Sequence, residues 1–155
     1  MATETIAEGY VYLHDGSTSG GTITYTTYCT KIRAEKIERD ITKELKVILF
    51  PQTDAGSEPS TKLIDFQRVK CIITVYGYLA DISGGATRFT QRDNLIELGD
   101  TQGTKEIVWG LSGTSGEQKE IVGVDKIKIT EDAKDPKRIN IIMTLIKGED
   151  LLVQS

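Results

Sequence analysis

The chain of 155 residues holds one histidine, His14, in the run His14-Asp15-Gly16-Ser17. His, Asp and Ser are the side chains of a nucleophilic triad, in which a base activates a hydroxyl and an acid orients the base. A triad is a geometric arrangement, however, and neighbours in a turn seldom supply it. No Gly-x-Ser-x-Gly elbow ahead of a helix strengthens the case. The run therefore reads as a strand end followed by a polar turn, with hydrolysis through His14 as a rival. One histidine and no Cys-x-x-Cys pair argue against a metal site. Cys29 and Cys71, widely spaced, read as buried free thiols rather than a disulfide.

Gly110, Ser112, Gly113, Ser115 and Gly116 form a glycine- and serine-rich run that invites a phosphate-binding reading. A phosphate cradle needs a following helix N-terminus and a lysine at fixed spacing. A strand pattern follows instead, so a hairpin loop is expected. Carboxylates pair at Glu97/Asp100, Glu131/Asp132 and Glu149/Asp150. General acid–base work needs one member of a pair in a desolvated setting, and these all sit at element ends or in turns. Arg33, Lys36, Arg39, Lys43 and Lys46 interleave with Glu35, Glu38, Asp40 and Glu44. That is the pattern of a salt-bridged, solvated or subunit-facing surface rather than a nucleic-acid groove. Trp109, Tyr76 and Tyr78 read as core or interface anchors ahead of an aromatic binding platform. No residue is assigned a catalytic, cofactor-binding or metal-binding role.

The elements that must position these residues are mostly strands. Gly9 to His14 is dense in aromatic and β-branched residues, Asp15 to Gly21 is turn-forming, and Thr22 to Thr30 resumes the Thr/Tyr-rich pattern. The two strands are expected to pair as an antiparallel hairpin. Ile32 to Leu45 is ambiguous: Ile37, Ile41 and Leu45 recur at helical spacing, while Ile32 and Ala34 alternate as in a strand. Glu44 to Phe50 reads as a strand. Pro51 to Thr61 reads as a long polar loop, expected to be mobile in a monomer and ordered in an assembly. Lys62 to Leu79 is the strongest strand, with Val69, Cys71, Ile73 and Val75 on one face and Ile72 and Tyr76 on the other. Gly77 is the expected bend.

Asp81 to Thr87 turns the chain. Thr90-Gln91-Arg92-Asp93 reads as a capping box, and Phe89, Leu95, Ile96 and Leu98 as an apolar stripe. With Gly99 as C-cap they predict one short helix near 90–98. Strands follow at 106–110, at 120–131 with a bulge near Asp125, and at 139–146, ahead of a short apolar tail at 151–153.

The composition, 38% hydrophobic and 27% charged with a net charge of −4, fits a single globular domain over 1–155. The fold class expected is mainly β: an antiparallel β-sandwich or bent barrel-like sheet with one short flanking α-helix. No apolar run approaches the roughly 20 residues of a membrane helix. Met1-Ala2-Thr3-Glu4-Thr5 lacks the basic start and apolar core of a signal peptide, so a cytoplasmic protein is expected. The modest, mixed charge argues against holding nucleic acid by its phosphates.

The segment from Leu63 to Val69, running into Ile72-Ile73-Thr74-Val75-Tyr76-Gly77-Tyr78-Leu79, resembles a recurring passage in tail proteins of tailed bacteriophages and archaeal viruses. After it come a Leu-bearing helix (Arg92 to Leu98), a strand ending Val108-Trp109-Gly110, and strands at Gly123 to Glu131 and Asn140 to Leu145. This order, over about residues 40–150, is similar to the ring-forming β-domains of tail tube and distal tail, or baseplate hub, proteins. The resemblance implies a homo-oligomeric, hexameric ring around a tail lumen, with other tail or baseplate proteins as partners. It implies a place in the virion tail after assembly in the host cytoplasm, with DNA passing through the lumen without sequence-specific contacts. It carries no catalytic residues or cofactor. The chain ends without the second, carbohydrate-binding-like domain of the larger distal tail proteins, which leaves tube, distal tail and adaptor roles open. The expected function is that of a non-enzymatic structural assembly protein. The rival from another class is a monomeric β-sandwich that binds carbohydrate or another ligand.

Overall fold

The computed structural model describes residues 2–50, 60–110 and 117–148, which form nine strands and one helix. In chain order these are β1 (Ala2–Thr5), β2 (Tyr10–His14), β3 (Ser17–Ser19), β4 (Thr22–Tyr25), β5 (Cys29–Phe50) and β6 (Ser60–Leu79). Then come α1 (Arg88–Asp100), β7 (Lys105–Gly110), β8 (Glu117–Glu131) and β9 (Ile139–Lys147). Ser60 and Thr61 already belong to β6. The rest of the loop expected at 51–61, the turn at 111–116 and the tail at 151–153 lie outside the described residues.

Six strands close an antiparallel barrel in the order β2-β5-β6-β9-β8-β7, with β7 pairing back onto β2. Of the two expected β architectures, the barrel is the one formed. Alternation along each strand sends every second side chain inward. Val11 and Leu13 of β2, Ile73 and Val75 of β6, and Met143 and Leu145 of β9 are all fully buried in one cluster. The strands β1-β4-β3 form a separate antiparallel sheet. Its Ile23 packs against Tyr12 and Val108, which point outward from the barrel and are nevertheless fully buried.

The hairpin expected between 9–14 and 22–30 forms only at its end, where Thr30 and Cys29 pair with Leu13 and His14, while 22–25 is diverted to the small sheet. β2 pairs with the start of β5, Tyr10 opposite Arg33 and His14 opposite Cys29, and with β7 on its other side. The intervening residues make β3 and β4 of the small sheet. Asp15 directs this rerouting: its carboxylate accepts the N–H groups of Thr26 and Thr27 at 3.1 and 3.0 Å. The chain therefore turns between β4 and β5, and β5 becomes the neighbour of β2. The ambiguous stretch 32–45 is strand throughout, continuous with 44–50.

Helix α1 packs on β2, β5, β6 and β8, strands from different sides of the barrel, so it lies across one barrel end. It is longer than the expected 90–98. Its N-cap is Thr87, whose Oγ1 accepts the Thr90 N–H at 3.3 Å, so the capping box at Thr90 is not formed. Thr101, not Gly99, is the C-cap. Gly99 permits close approach instead, since a Cβ there would stand 3.0 Å from Ile127 Cδ1. Of the expected stripe, only Leu95 and Leu98 are buried. Gln91 takes the third inward position, donating to the Ala80 carbonyl at 2.7 Å, while Phe89 and Ile96 face outward.

β5 and β6 outrun their neighbours. β2 covers β5 only as far as Arg33, and β9 covers β6 only from Ile72. Beyond those points, among the described residues, the two strands pair only with each other, to Phe50 opposite Ser60. The result is a two-stranded ribbon leaving the barrel at the end opposite α1. Roughly ten residues per strand, at about 3.3 Å each, carry it some 30 Å from the barrel.

Candidate functional site

His14 ends β2 on the outer face of the barrel, beneath β3, and is fully buried. The Gly16 N–H donates to its Nδ1 at 3.0 Å, which leaves the proton of the neutral ring on Nε2. That nitrogen lies 3.1 Å from Glu106 Oε1 of β7 and 3.2 Å from Thr18 Oγ1 of β3. The Thr18 hydroxyl donates to the same Glu106 oxygen, and Lys119 of β8 donates to the Thr18 carbonyl at 2.9 Å. Burial pushes the imidazole below its ordinary range, against the pull of the Glu106 carboxylate. His14 is therefore neutral near pH 7.

Base, hydroxyl and carboxylate are close together, yet their order is not that of a triad. A triad places nucleophile and acid on opposite ring nitrogens. Here both face Nε2, and the Thr18 proton is directed to Glu106 rather than to the base. The sequence-level candidates are separated: Asp15 is engaged by Thr26 and Thr27, and Ser17 is exposed on β3. Burial would raise the Asp15 carboxyl, but the Thr27 and Thr26 N–H groups outweigh it and hold the group below the usual carboxylate range. What the cluster does is tie β2, β3, β7 and β8 together through the buried, satisfied His14 and Thr18 and their partners Glu106 and Lys119. Sequence reasoning missed Thr18 and Glu106; the signal for Glu106 is the strand register that sets it opposite His14.

The expected aromatic trio is divided between two faces. Trp109 is in the barrel cluster, 6% exposed, with the Arg39 guanidinium 5.1 Å from its ring centre. Arg39 also lies 3.6 Å from Glu120, which takes Lys147 at 3.2 Å. Tyr76 and Tyr78 are half-buried on the outer face, under Lys36 and Arg138. Of the basic run, Lys36 pairs with Glu38 and Arg39 with Glu120, while Arg33 donates to the Tyr10 hydroxyl. Cys29 and Cys71 are free thiols, half-buried rather than buried; burial pushes Cys29 up to about 12. Glu131 pairs with Arg92, while Glu149 and Asp150 lie outside the described residues. Among the described residues, no group of three or more His, Cys, Asp or Glu is placed to hold a metal, and no helix is long and apolar enough to cross a membrane.

The remaining candidates are surfaces. At the barrel mouth below the ribbon, Ala34, Ile37, Arg39, Trp109 and Gln118 line a cleft of about 600 Å³. On the ribbon, Ile41 and Val69 are 65% and 60% exposed; on α1, Phe89 and Ile96 also stand out. No protein-family model matches the chain, and no curated protein sequence does.

Proposed function

We propose that the chain is a non-enzymatic structural subunit that assembles with copies of itself as a ring-forming component of a viral tail or baseplate. The observation that carries this reading is the β5–β6 ribbon. A two-stranded ribbon is at best marginally stable alone in water, and its unpaired edges are a liability for a monomer. This one also exposes Ile41 and Val69. A neighbouring subunit that covers the ribbon removes both costs, and head-to-tail contacts of this kind close into rings when the rotation permits. The order of strands and helix along residues 40–150 supplies the resemblance to tail ring proteins. His14, the one residue that invites a catalytic reading, serves a structural cluster.

The test is size-exclusion chromatography with light scattering over a range of concentrations, followed by negative-stain microscopy. Species larger than a monomer, with ring symmetry, are expected. A folded monomer at every concentration overturns the reading. The rival, a ligand-binding module, draws on the cleft of about 600 Å³ at the barrel mouth, which is within the size range of ligand sites. Its aromatic wall is closed, however: Trp109 is only 6% exposed and sits under Arg39, so no ring face is offered for stacking a sugar.

A further inference from the structure

The ribbon and the opposite end of the barrel complement each other. On one ribbon face Ile41 stands opposite Cys71, and Val69 opposite Lys43. The ribbon strands, residues 40–50 and 60–71, carry Lys43, Lys46, Lys62, Arg68 and Lys70 against Asp40, Glu44 and Asp65. At the other end, α1 and β8 enclose a groove of about 220 Å³ whose apolar wall is Ile96, Val124, Ile127 and Ile129. Ile96 is 44% exposed there.

The rim of this groove is acidic, with Asp100 and Asp125 against one cation, Lys126. Glu97 and Asp100 fall at the C-terminal end of α1, whose last turn has no basic residue. That end of a helix carries partial negative charge and favours cations, so the local field calls for a positive partner. Asp125 is the extra residue of a bulge in β8, and beyond Val122 that strand pairs with β9 alone among the described residues. The groove therefore lies beside an unpaired strand edge.

The ribbon does not reach the groove of its own chain. Ile127 lies level with Val75 through Met143 of β9. Val69 is six residues further along β6, roughly 20 Å away and on the side remote from α1.

Resting on the assembly reading above, we propose that the ribbon of one copy docks in the α1–β8 groove of a second copy. Ile41 and Val69 cover Ile96 and Ile127, and the basic strands run along the acidic rim. Donor and acceptor are different surfaces of the same molecule, so the contact is heterologous and repeats from copy to copy.

Val69→Asp removes the donor and Ile96→Asp the acceptor. Both positions are exposed, and melting followed by circular dichroism checks that each variant folds; Val69→Thr and Ile96→Gln replace any that does not. Each variant alone is expected to be monomeric by light scattering at concentrations where the natural chain assembles. An equimolar mixture is expected to form heterodimers and nothing larger, because Ile96→Asp keeps a ribbon and Val69→Asp keeps a groove. If Ile96→Asp assembles like the natural chain, or the mixture stays monomeric, the docking site is wrong while the assembly reading stands. A natural chain that is monomeric throughout rejects both.

Discussion

A histidine buried as the neutral ring with both nitrogens bonded is a structural device with a pH signature. His14 accepts from Gly16 through Nδ1 and faces Glu106 and Thr18 through Nε2, so a second proton displaces the Gly16 bond. The folded state lowers its proton affinity below that of the unfolded chain, where histidine titrates near about 6.5. Its stabilising effect is therefore complete above about pH 6.5 and is lost as the pH falls below that value. Melting midpoints of the natural chain are expected to drop between pH 7 and 5. His14→Gln, which cannot titrate, should flatten the profile over that window, and an unchanged profile contradicts the assignment. The loss from Asp15, whose carboxyl is held low by Thr26 and Thr27, comes separately, below about pH 4. His14→Ala leaves Thr18 and Glu106 without their ring partner and is expected to cost about 1–3 kcal/mol in chemical denaturation. None of this was legible from the run His14 to Ser17, because Glu106 arrives from a strand distant in the chain.

Gly77 shows how a strand is shaped from across the sheet. The expected bend at this residue is expressed in its partner: the β5–β6 register shifts between Ala34 and Lys36, so Glu35 is the extra residue. Glu35 meets Arg138 at 2.5 Å, and the Arg138 guanidinium lies 3.8 Å from the ring centre of Tyr78. A Cβ on Gly77 would stand 2.3 Å from the Arg33 carbonyl. Gly77→Ala is expected to destabilise by about 1–3 kcal/mol, read from urea unfolding; no loss would mean the strands can part without cost. Val75→Asp puts an unpaired charge at a fully buried position of the same strand and is expected to lose more, about 3–5 kcal/mol. Wild-type melting would refute its place in the core. The strands at 62–79, 106–110, 120–131 and 139–146 were legible because a half-buried wall imposes alternation, and the bulge at Asp125 because Val124 and Ile127 break it. Pairings were less so. The neighbour of β2 depends on barrel closure and on Asp15, neither of which leaves a periodic trace. The helix ends were misjudged by two residues because Thr87 and Thr90 compete as caps, and Gly99 serves packing instead of termination.

At the scale of the whole molecule, stability is unevenly distributed. Barrel strands such as β6 from Ile72 to Leu79 have a partner on each side, β5 and β9. Their amides open only with the barrel itself. Past that point, residues 40–50 and 60–71 hold each other and nothing else among the described strands. Strands held on one side alone open locally at lower cost than strands held on both. In dilute monomer, the ribbon amides are therefore expected to exchange much faster than those of Ile73 to Leu79. If a second copy covers the ribbon, opening it must also break that contact. Exchange then slows with concentration, by about tenfold for each 1.4 kcal/mol of contact energy. The barrel amides provide the internal standard, since they respond only to global stability. Hydrogen exchange with mass-spectrometric readout at two concentrations, one below and one above the onset of assembly, separates the cases. Selective slowing of 40–50 and 60–71 places the ribbon in the contact. Equal ribbon exchange at both concentrations, with assembly confirmed by light scattering, would assign the contact to another surface.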